Sequence, residues 1–385
     1  MLRYRLTLFR LLGFPIQIDA TWIFIAVLIL WSLSTGLFPM VLPDQDPAIY
    51  WRMGGVALLG FAASIVLHEL GHAVVARSYD MPIRSITLFI FGGVAEMEKE
   101  PPSAKAEFWV AIAGPIMSVV VAVAFGALAY LFGGPPALPE IGDGQIQTAM
   151  PEAVVFSYLA FLNVILAVFN MVPAFPLDGG RVLRAILWGV RGNLMWATRV
   201  AAGFGSGFAA LLVAWAIFNL TAGNPVGAVW YFILGLFVHS AAQGQVYYQK
   251  IRSALEPRPV KSFMRTELVV VDPDMTVERL ISEYFYTHYY KSFPVVHRGE
   301  LLGVVYASDV RKTDSPERLR VRDVMRPADE DLVIQPDTDS ATALQRMQIN
   351  DQTRLMVCER GKLIGVIALR DLMNFLSIRQ DLESG

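Results

Sequence analysis

Two histidines four residues apart, His68 and His72, with Glu69 beside the first, are the residues of this sequence best suited to chemistry. On a helix that spacing brings both imidazoles to one face. Neutral imidazoles are good zinc ligands, and a carboxylate beside such a metal can take a proton from water held there. The run His68-Glu69-Leu70-Gly71-His72 therefore supplies most of a hydrolytic metal centre. From Gly54 to Val75 the chain is otherwise almost wholly apolar, and ionisable groups at membrane depth are functional by default. Catalytic zinc takes a third protein ligand and leaves one position open. Asp178 is the candidate. It lies in Asn170-Met171-Val172-Pro173-Ala174-Phe175-Pro176-Leu177-Asp178-Gly179-Gly180-Arg181, where two prolines and two glycines unwind a helix. An unwound segment can carry a carboxylate to a metal held elsewhere. The same Asp178 is also placed to cap the amphipathic helix that follows.

The elements that must position these groups are membrane spans. Of 385 residues, 55% are hydrophobic and 17% charged, against about a quarter charged in globular proteins. Apolar runs long enough to cross a bilayer, about 20 residues, occur near Thr21 to Phe38, Gly54 to Val75, Phe108 to Phe132, Val154 to Val172, Val200 to Leu220 and Val226 to Val238. Arg3, Arg5 and Arg10 precede the first, which reads as an uncleaved span. Basic residues gather in alternate connectors, Arg77, Arg84, Lys99 and Lys105 in one and Arg181, Arg184, Arg191 and Arg199 in another. The connector from Gly133 to Glu152 carries acids alone. The positive-inside rule then puts both termini on the cytoplasmic side of the cell membrane. A net charge of −2 with dispersed basic residues gives no nucleic-acid partner. The single cysteine, Cys358, excludes an intrachain disulfide framework and a Cys-based zinc site.

Between the second and third spans, Ser85 to Glu96 is too short to cross and rich in β-formers, so we expect two short strands turning at Gly92-Gly93. Such a hairpin either packs as a re-entrant plug or aligns an extended substrate by strand addition. Ala113-Gly114-Pro115 permits close helix approach. Gly203, Gly205 and Gly207 in the fifth span serve movement or close packing. We expect residues 1–250 to form the membrane domain and 251–259, with Glu256-Pro257-Arg258-Pro259, a stiff polar linker. A soluble α/β domain follows and repeats itself over 260–313 and 321–376. Val260-Lys261-Ser262-Phe263-Met264 matches Val321-Arg322-Asp323-Val324-Met325, and Gly303-Val304-Val305-Tyr306-Ala307-Ser308-Asp309 matches Gly365-Val366-Ile367-Ala368-Leu369-Arg370-Asp371.

On His68 to His72, Gly92-Gly93, Ala113 to Pro115 and Asn170 to Gly180, the membrane half resembles the site-2 protease family of intramembrane zinc metalloproteases. The repeat resembles a pair of cystathionine-β-synthase (CBS) domains. The resemblance implies a polytopic α-helical membrane protein of six spans with a membrane-associated β-hairpin. One Zn²⁺ per chain would be bound by His68, His72 and Asp178, with Glu69 activating water. Asn170, Gly92 and Gly93 are the expected substrate contacts. The substrate would be a single-span membrane protein cut within or near its transmembrane segment. CBS pairs often bind adenosine nucleotides through an acid on the ribose. Asp309 and Asp371 keep that acid, whereas Tyr306 and Ala368 replace the small hydroxyl near phosphate. A CBS homodimer without ligand is the alternative there. For the whole chain, the alternatives are a CBS-regulated transporter or channel using the same polar residues as an ion path, and an inactive membrane scaffold.

Overall fold

The computed structural model of the protein describes residues 5–383 except 91, 98, 99, 134–149, 256, 257, 312, 314, 315 and 351. Most of the acidic connector, Lys99, and Glu256 and Pro257 of the expected linker lie outside the described residues. The chain forms two compact units, Met1–Tyr247 and Tyr248–Gly385.

Six helices of the described residues are long and apolar enough to cross a membrane. They are α1 (Ala20–Val41), α2 (Pro47–Arg77), α3 (Ala104–Leu131), α4 (Pro151–Asn170), α6 (Leu194–Thr221) and α7 (Pro225–Leu255), with the amphipathic α5 (Asp178–Arg191) between α4 and α6. The chain is a multi-pass membrane protein. Helix starts are written in local chemistry. Asp46 accepts from the Ala48 amide and Pro47 supplies the first helical position of α2. Ser103 caps α3 through the Ala106 amide, and Asn193 caps α6 through Trp196. The sixth helix runs well beyond the expected Val238, to Leu255. Residues 251–255 therefore complete a helix rather than begin the linker, because Ile251 and Leu255, one turn apart, bury their side chains in the core of the second unit.

The expected hairpin is half of a larger sheet. Strands β1 (Arg5–Leu11), β2 (Phe14–Asp19), β3 (Ile83–Phe89) and β4 (Gly92–Met97) pair in that order, β2 parallel to β3 and the other pairs antiparallel. The β1–β2 hairpin was not expected, since Arg3, Arg5 and Arg10 were read as the basic lead of the first span. Leu12 and Gly13, both at positive φ, make its turn. In the second hairpin the first strand ends at Phe89, so the turn precedes the glycines and Gly92-Gly93 open β4. The sheet lies on α2: Phe14, Ile16, Ile86 and Leu88 pack with Ile65, Val66, Leu70 and Ala73. Residues on either side of His68 and Glu69 are thus fixed against the sheet.

After α4, Met171 to Leu177 turn back on themselves, with a cis peptide at Phe175-Pro176. A Cβ on Gly180 would come within 2.5 Å of the Phe175 nitrogen, so the tight return needs glycine there. Of the three glycines in α6 only Gly205 meets a close neighbour, the Phe175 carbonyl at 2.6 Å from a built Cβ. Close packing accounts for that one.

The second unit holds a six-stranded sheet. Its main path is β5 (Ser292–His297), β6 (Glu300–Tyr306), β10 (Lys362–Ala368), β9 (Arg354–Glu359) and β8 (Val333–Ile334), with β7 (Arg326–Pro327) paired to β6. The two repeats exchange their leading segments. Arg265, from the first, pairs its backbone with Val366 of the second, and Arg326, from the second, pairs with Val304 of the first. Val260 accordingly sits in the core with Leu355, Val357 and Ile367, and Val321 in the core with Phe293, Val295 and Val305.

Candidate metal centre

Helix α2 presents His68 and His72 on one face, both buried, and the third-span helix α3 holds them. The His72 Nδ1 lies 2.6 Å from the Val110 carbonyl, and the His68 Nδ1 lies 2.8 Å from the Ser118 Oγ. The Val110 carbonyl can only accept, so His72 carries its proton on Nδ1 and a lone pair on Nε2. Both Nε2 atoms face inward, 3.2 Å apart. Asp178 is the first residue of α5, and its Oδ2 stands 3.1 Å from His68 Nε2 and 3.2 Å from His72 Nε2. Three ligand atoms from three side chains thus form a nearly equilateral triangle, all within 4.8 Å of one another.

These residues fit a zinc ion. A tetrahedral ion with ligands at about 2.0 to 2.1 Å separates neighbouring ligand atoms by about 3.3 Å, close to the observed edges. Lone pairs at this distance repel unless a cation lies among them. The space is kept open by Gly114, on which a Cβ would press against the Nε2 atoms of His72 and His68. Ser118 and the Val110 carbonyl fix the orientation of the two rings, as outer partners do where histidines bind a metal.

Glu69 lies half-buried on the neighbouring side of α2. Its Oε2 accepts from the Ala95 amide of β4 at 3.1 Å, and Gly93 makes room for it, since a Cβ there would lie 2.7 Å from the Glu69 Cγ. Strand β4 is an edge strand, and the amide it gives to Glu69 is on its free side. A cavity of about 590 Å³ joins these parts. It is lined by His68, Glu69, His72 and Asp178, by Gly92, Gly93 and Ala95 of the strand, by Asn170 and Arg181, and by apolar side chains. The Asn170 Nδ2 donates to the Leu166 carbonyl at 3.0 Å.

Helix α5 is anchored independently of the triangle. Arg184, two turns beyond Asp178, donates Nε to the Glu107 Oε1 of α3 at 2.6 Å and its Nη2 to the same oxygen. Glu107 is fully buried and Arg184 nearly so. The guanidinium also lies over the Phe175 ring, 5.2 Å from its centroid. Arg184, counted in sequence as a connector charge, is a buried structural one.

Comparison with known proteins decides the family. A profile described as peptidase family M50 matches residues 56–214, and CBS-domain profiles match 260–315 and 321–378. Zinc metalloprotease MJ0392 of Methanocaldococcus jannaschii is 31% identical over 98% of this chain and 97% of its own. The chain belongs to peptidase family M50, the site-2 proteases. It is a zinc metalloprotease carrying tandem CBS domains, and that membership speaks against the transporter reading. Rip3 of Mycobacterium tuberculosis is 29% identical over 98% of this chain and 94% of its own. Among solved structures, the site-2 protease from Methanocaldococcus jannaschii aligns at 30% identity and a TM-score of 0.43, covering 63% of this chain and 95% of that one.

In the second unit of the protease the two CBS acids are not equivalent. Arg326 grips Asp309 with Nε at 2.7 Å and Nη2 at 2.9 Å, and Arg265 grips Asp371 with Nε at 3.1 Å and Nη2 at 2.5 Å. Each pair crosses between repeats. Beside Asp309, Tyr306 fills the place of a small hydroxyl, with Arg326 stacked 4.8 Å from its ring centroid. Burial pushes the Tyr306 hydroxyl above the usual tyrosine range, so it stays neutral. Beside Asp371 a cavity of about 650 Å³ remains, lined by Arg265, Arg354, Arg370, His288 and Tyr290 among others.

Proposed function

We propose that His68, His72 and Asp178 hold one zinc ion and that Glu69 is the general base in hydrolysis of a peptide bond of another membrane protein. The bond lies within or near a single transmembrane segment, towards the cytoplasmic side. The observation that carries this is the convergence of three ligand atoms, the Glu69 carboxylate held by the Ala95 amide and an edge strand on one mostly apolar cavity. Bound zinc supplies Lewis acidity and makes water a nucleophile near neutral pH. Glu69 accepts the water proton as the water oxygen bonds to the carbonyl carbon and the carbonyl π pair moves to its oxygen. When the C–N bond breaks, Glu69 returns that proton to the leaving nitrogen.

A helical substrate hides its carbonyl carbons in its own hydrogen bonds, so it must unwind before attack. The free edge of β4 offers an extended chain backbone partners at Gly93 and Ala95, while Gly92 opens the strand and Asn170 lines the facing wall. Because the Ala95 amide also holds Glu69, a strand that adds there takes over this amide and frees the carboxylate to turn to the water.

The basic connectors support an orientation with both termini in the cytoplasm of a cell whose plasma membrane surrounds the six spans with lipid. The substrate class that fits is a single-span protein tethering a regulator. The cavity at Asp371 suits an adenosine nucleotide: arginines for phosphate, aromatic rings for the base, and an acid for the ribose. Such a ligand controls cleavage only through a difference in affinity between two arrangements of the pair, typically worth about 1 to 3 kcal/mol. The CBS pair also suits a homodimer contact.

Three variants test the assignments. Glu69→Gln is expected to keep zinc and the fold and to lose turnover, because an amide cannot take the proton. His72→Ala and Asp178→Ala are expected to lower zinc content, read by metal analysis of the purified chain. An Asp178→Ala protein that binds zinc as tightly as the parent removes Asp178 from the ligand set.

A further inference from the structure

We infer that Arg181 donates to the scissile carbonyl oxygen as negative charge develops on it, an inference that rests on the hydrolase reading of the same cavity. Arg181 follows Asp178 by three residues and so shares its face of α5, one turn along. It lines the cavity with His68, Glu69, His72 and Asp178 and is half-buried. Its hydrogen-bond partner among the described residues is the Met97 Sδ, 3.7 Å from Nη2, a weak acceptor for a group with five N–H donors. Neighbouring arginines are engaged differently. Arg184 is held by Glu107, Arg77 by the Leu12 carbonyl and the Phe14 ring, and Arg191 lies over the Trp196 ring.

No ion pair joins Arg181 to a carboxylate among the described residues, although Asp178 is one turn away. A guanidinium in a largely apolar cavity, with no carboxylate paired to it among the described residues, is costly to hold there. The arrangement makes sense if the anion arises during the reaction. The position agrees: Met97 is the last residue of β4, and Asp178 belongs to the ligand triangle, so Arg181 spans the gap between the strand that would align a substrate and the metal site. Arginine stays charged at every working pH, and a preset donor in a water-poor site costs no reorganisation when charge appears.

The test uses the full chain, zinc-loaded in detergent, with Arg181→Met and Arg181→Lys. The probes are two synthetic single-span peptides, identical except that one carries a glutamate beside the cut. We expect Arg181→Met to lower kcat roughly 100- to 1000-fold on both peptides, with KM and zinc content unchanged. Arg181→Lys is expected to recover part of the loss. Calorimetry with a peptide phosphonate, a tetrahedral anion, is expected to show weaker binding to Arg181→Met by a similar factor. The intact peptide, measured on the Glu69→Gln background, is expected to bind as before. An unchanged kcat overturns the inference. So does a loss confined to KM on the glutamate peptide, which would make Arg181 a reader of acidic side chains, or a fall in zinc content, which would make it a positioning residue for the metal. Glu69→Gln run alongside separates the two levels. If it cleaves like the parent, the reading of this cavity as the hydrolytic site with Glu69 as base falls, whereas an active Arg181→Met beside an inactive Glu69→Gln removes Arg181 alone.

Discussion

Ser118 sits in the middle of an apolar helix with no spacing that marks it, and Gly114 was marked only as a point of close helix approach, yet both shape the candidate metal site. The His68 and His72 pattern could be read from sequence because its period is that of one helix. Asp178 could be read only as one of two things, a cap or a ligand, since the choice depends on where a second helix points it. Its Oδ2 faces the imidazoles, and Leu177, not Asp178, stands at the cap position of the helix. The third-span contributions come from a backbone carbonyl, a hydroxyl and a missing methyl, groups that sequence spacing does not reveal. They carry their own prediction. Ser118→Ala removes the partner of His68 Nδ1 and is expected to weaken zinc binding about 10- to 100-fold. Gly114→Ala, whose Cβ would occupy the space between the rings, is expected to lose zinc outright. Competition against a fluorescent chelator measures both, and parental affinity in Gly114→Ala would mean that the rings move aside freely.

At the scale of elements, the proposed third ligand, Asp178, arrives on a helix separate from the other two, and that helix needs its own anchor. The Glu107–Arg184 pair joins α5 to α3, the helix that also supplies Val110, Gly114 and Ser118. One oxygen of Glu107, Oε2, has no hydrogen-bond partner among the described residues, so the pair leaves little in reserve. Arg184→Met, which strands a buried carboxylate, is expected to destabilise the protein by about 3 to 5 kcal/mol. Adding Glu107→Met is expected to restore most of that, because a buried pair and a well-packed apolar pair are often close in stability. Thermal unfolding in detergent reads both variants, and a double variant no more stable than the single one would contradict the reading. Sequence reasoning found the six spans from their length and apolarity alone. It missed the β1–β2 hairpin because Arg3, Arg5 and Arg10 were read as the basic lead of the first span, although the Leu12-Gly13 turn was there to be seen. It also set the hairpin turn too late, at glycines that instead open β4 and make room for Glu69.

For the whole molecule, the repeat in the second unit was evident from matched segments, but the crossing of their leading segments was not, because similarity between repeats does not say which half a segment packs on. The crossing pairs each acid with an arginine of the other repeat, and it leaves the clefts unequal: Tyr306 occupies one, Ala368 leaves the other open. Calorimetry of the full chain with ATP, ADP and AMP is expected to give one site per chain, lost in Asp371→Ala and kept in Asp309→Ala. Binding that survives Asp371→Ala would place the ligand elsewhere. The central claim, however, concerns the membrane unit, and it is tested most directly by mapping cleavage of a single-span peptide by mass spectrometry, parent against Glu69→Gln, at equal zinc content. The account predicts one cut in or beside the apolar segment by the parent and none by the variant. Equal cleavage by both proteins, or none by the zinc-loaded parent over a panel of such peptides, would contradict it.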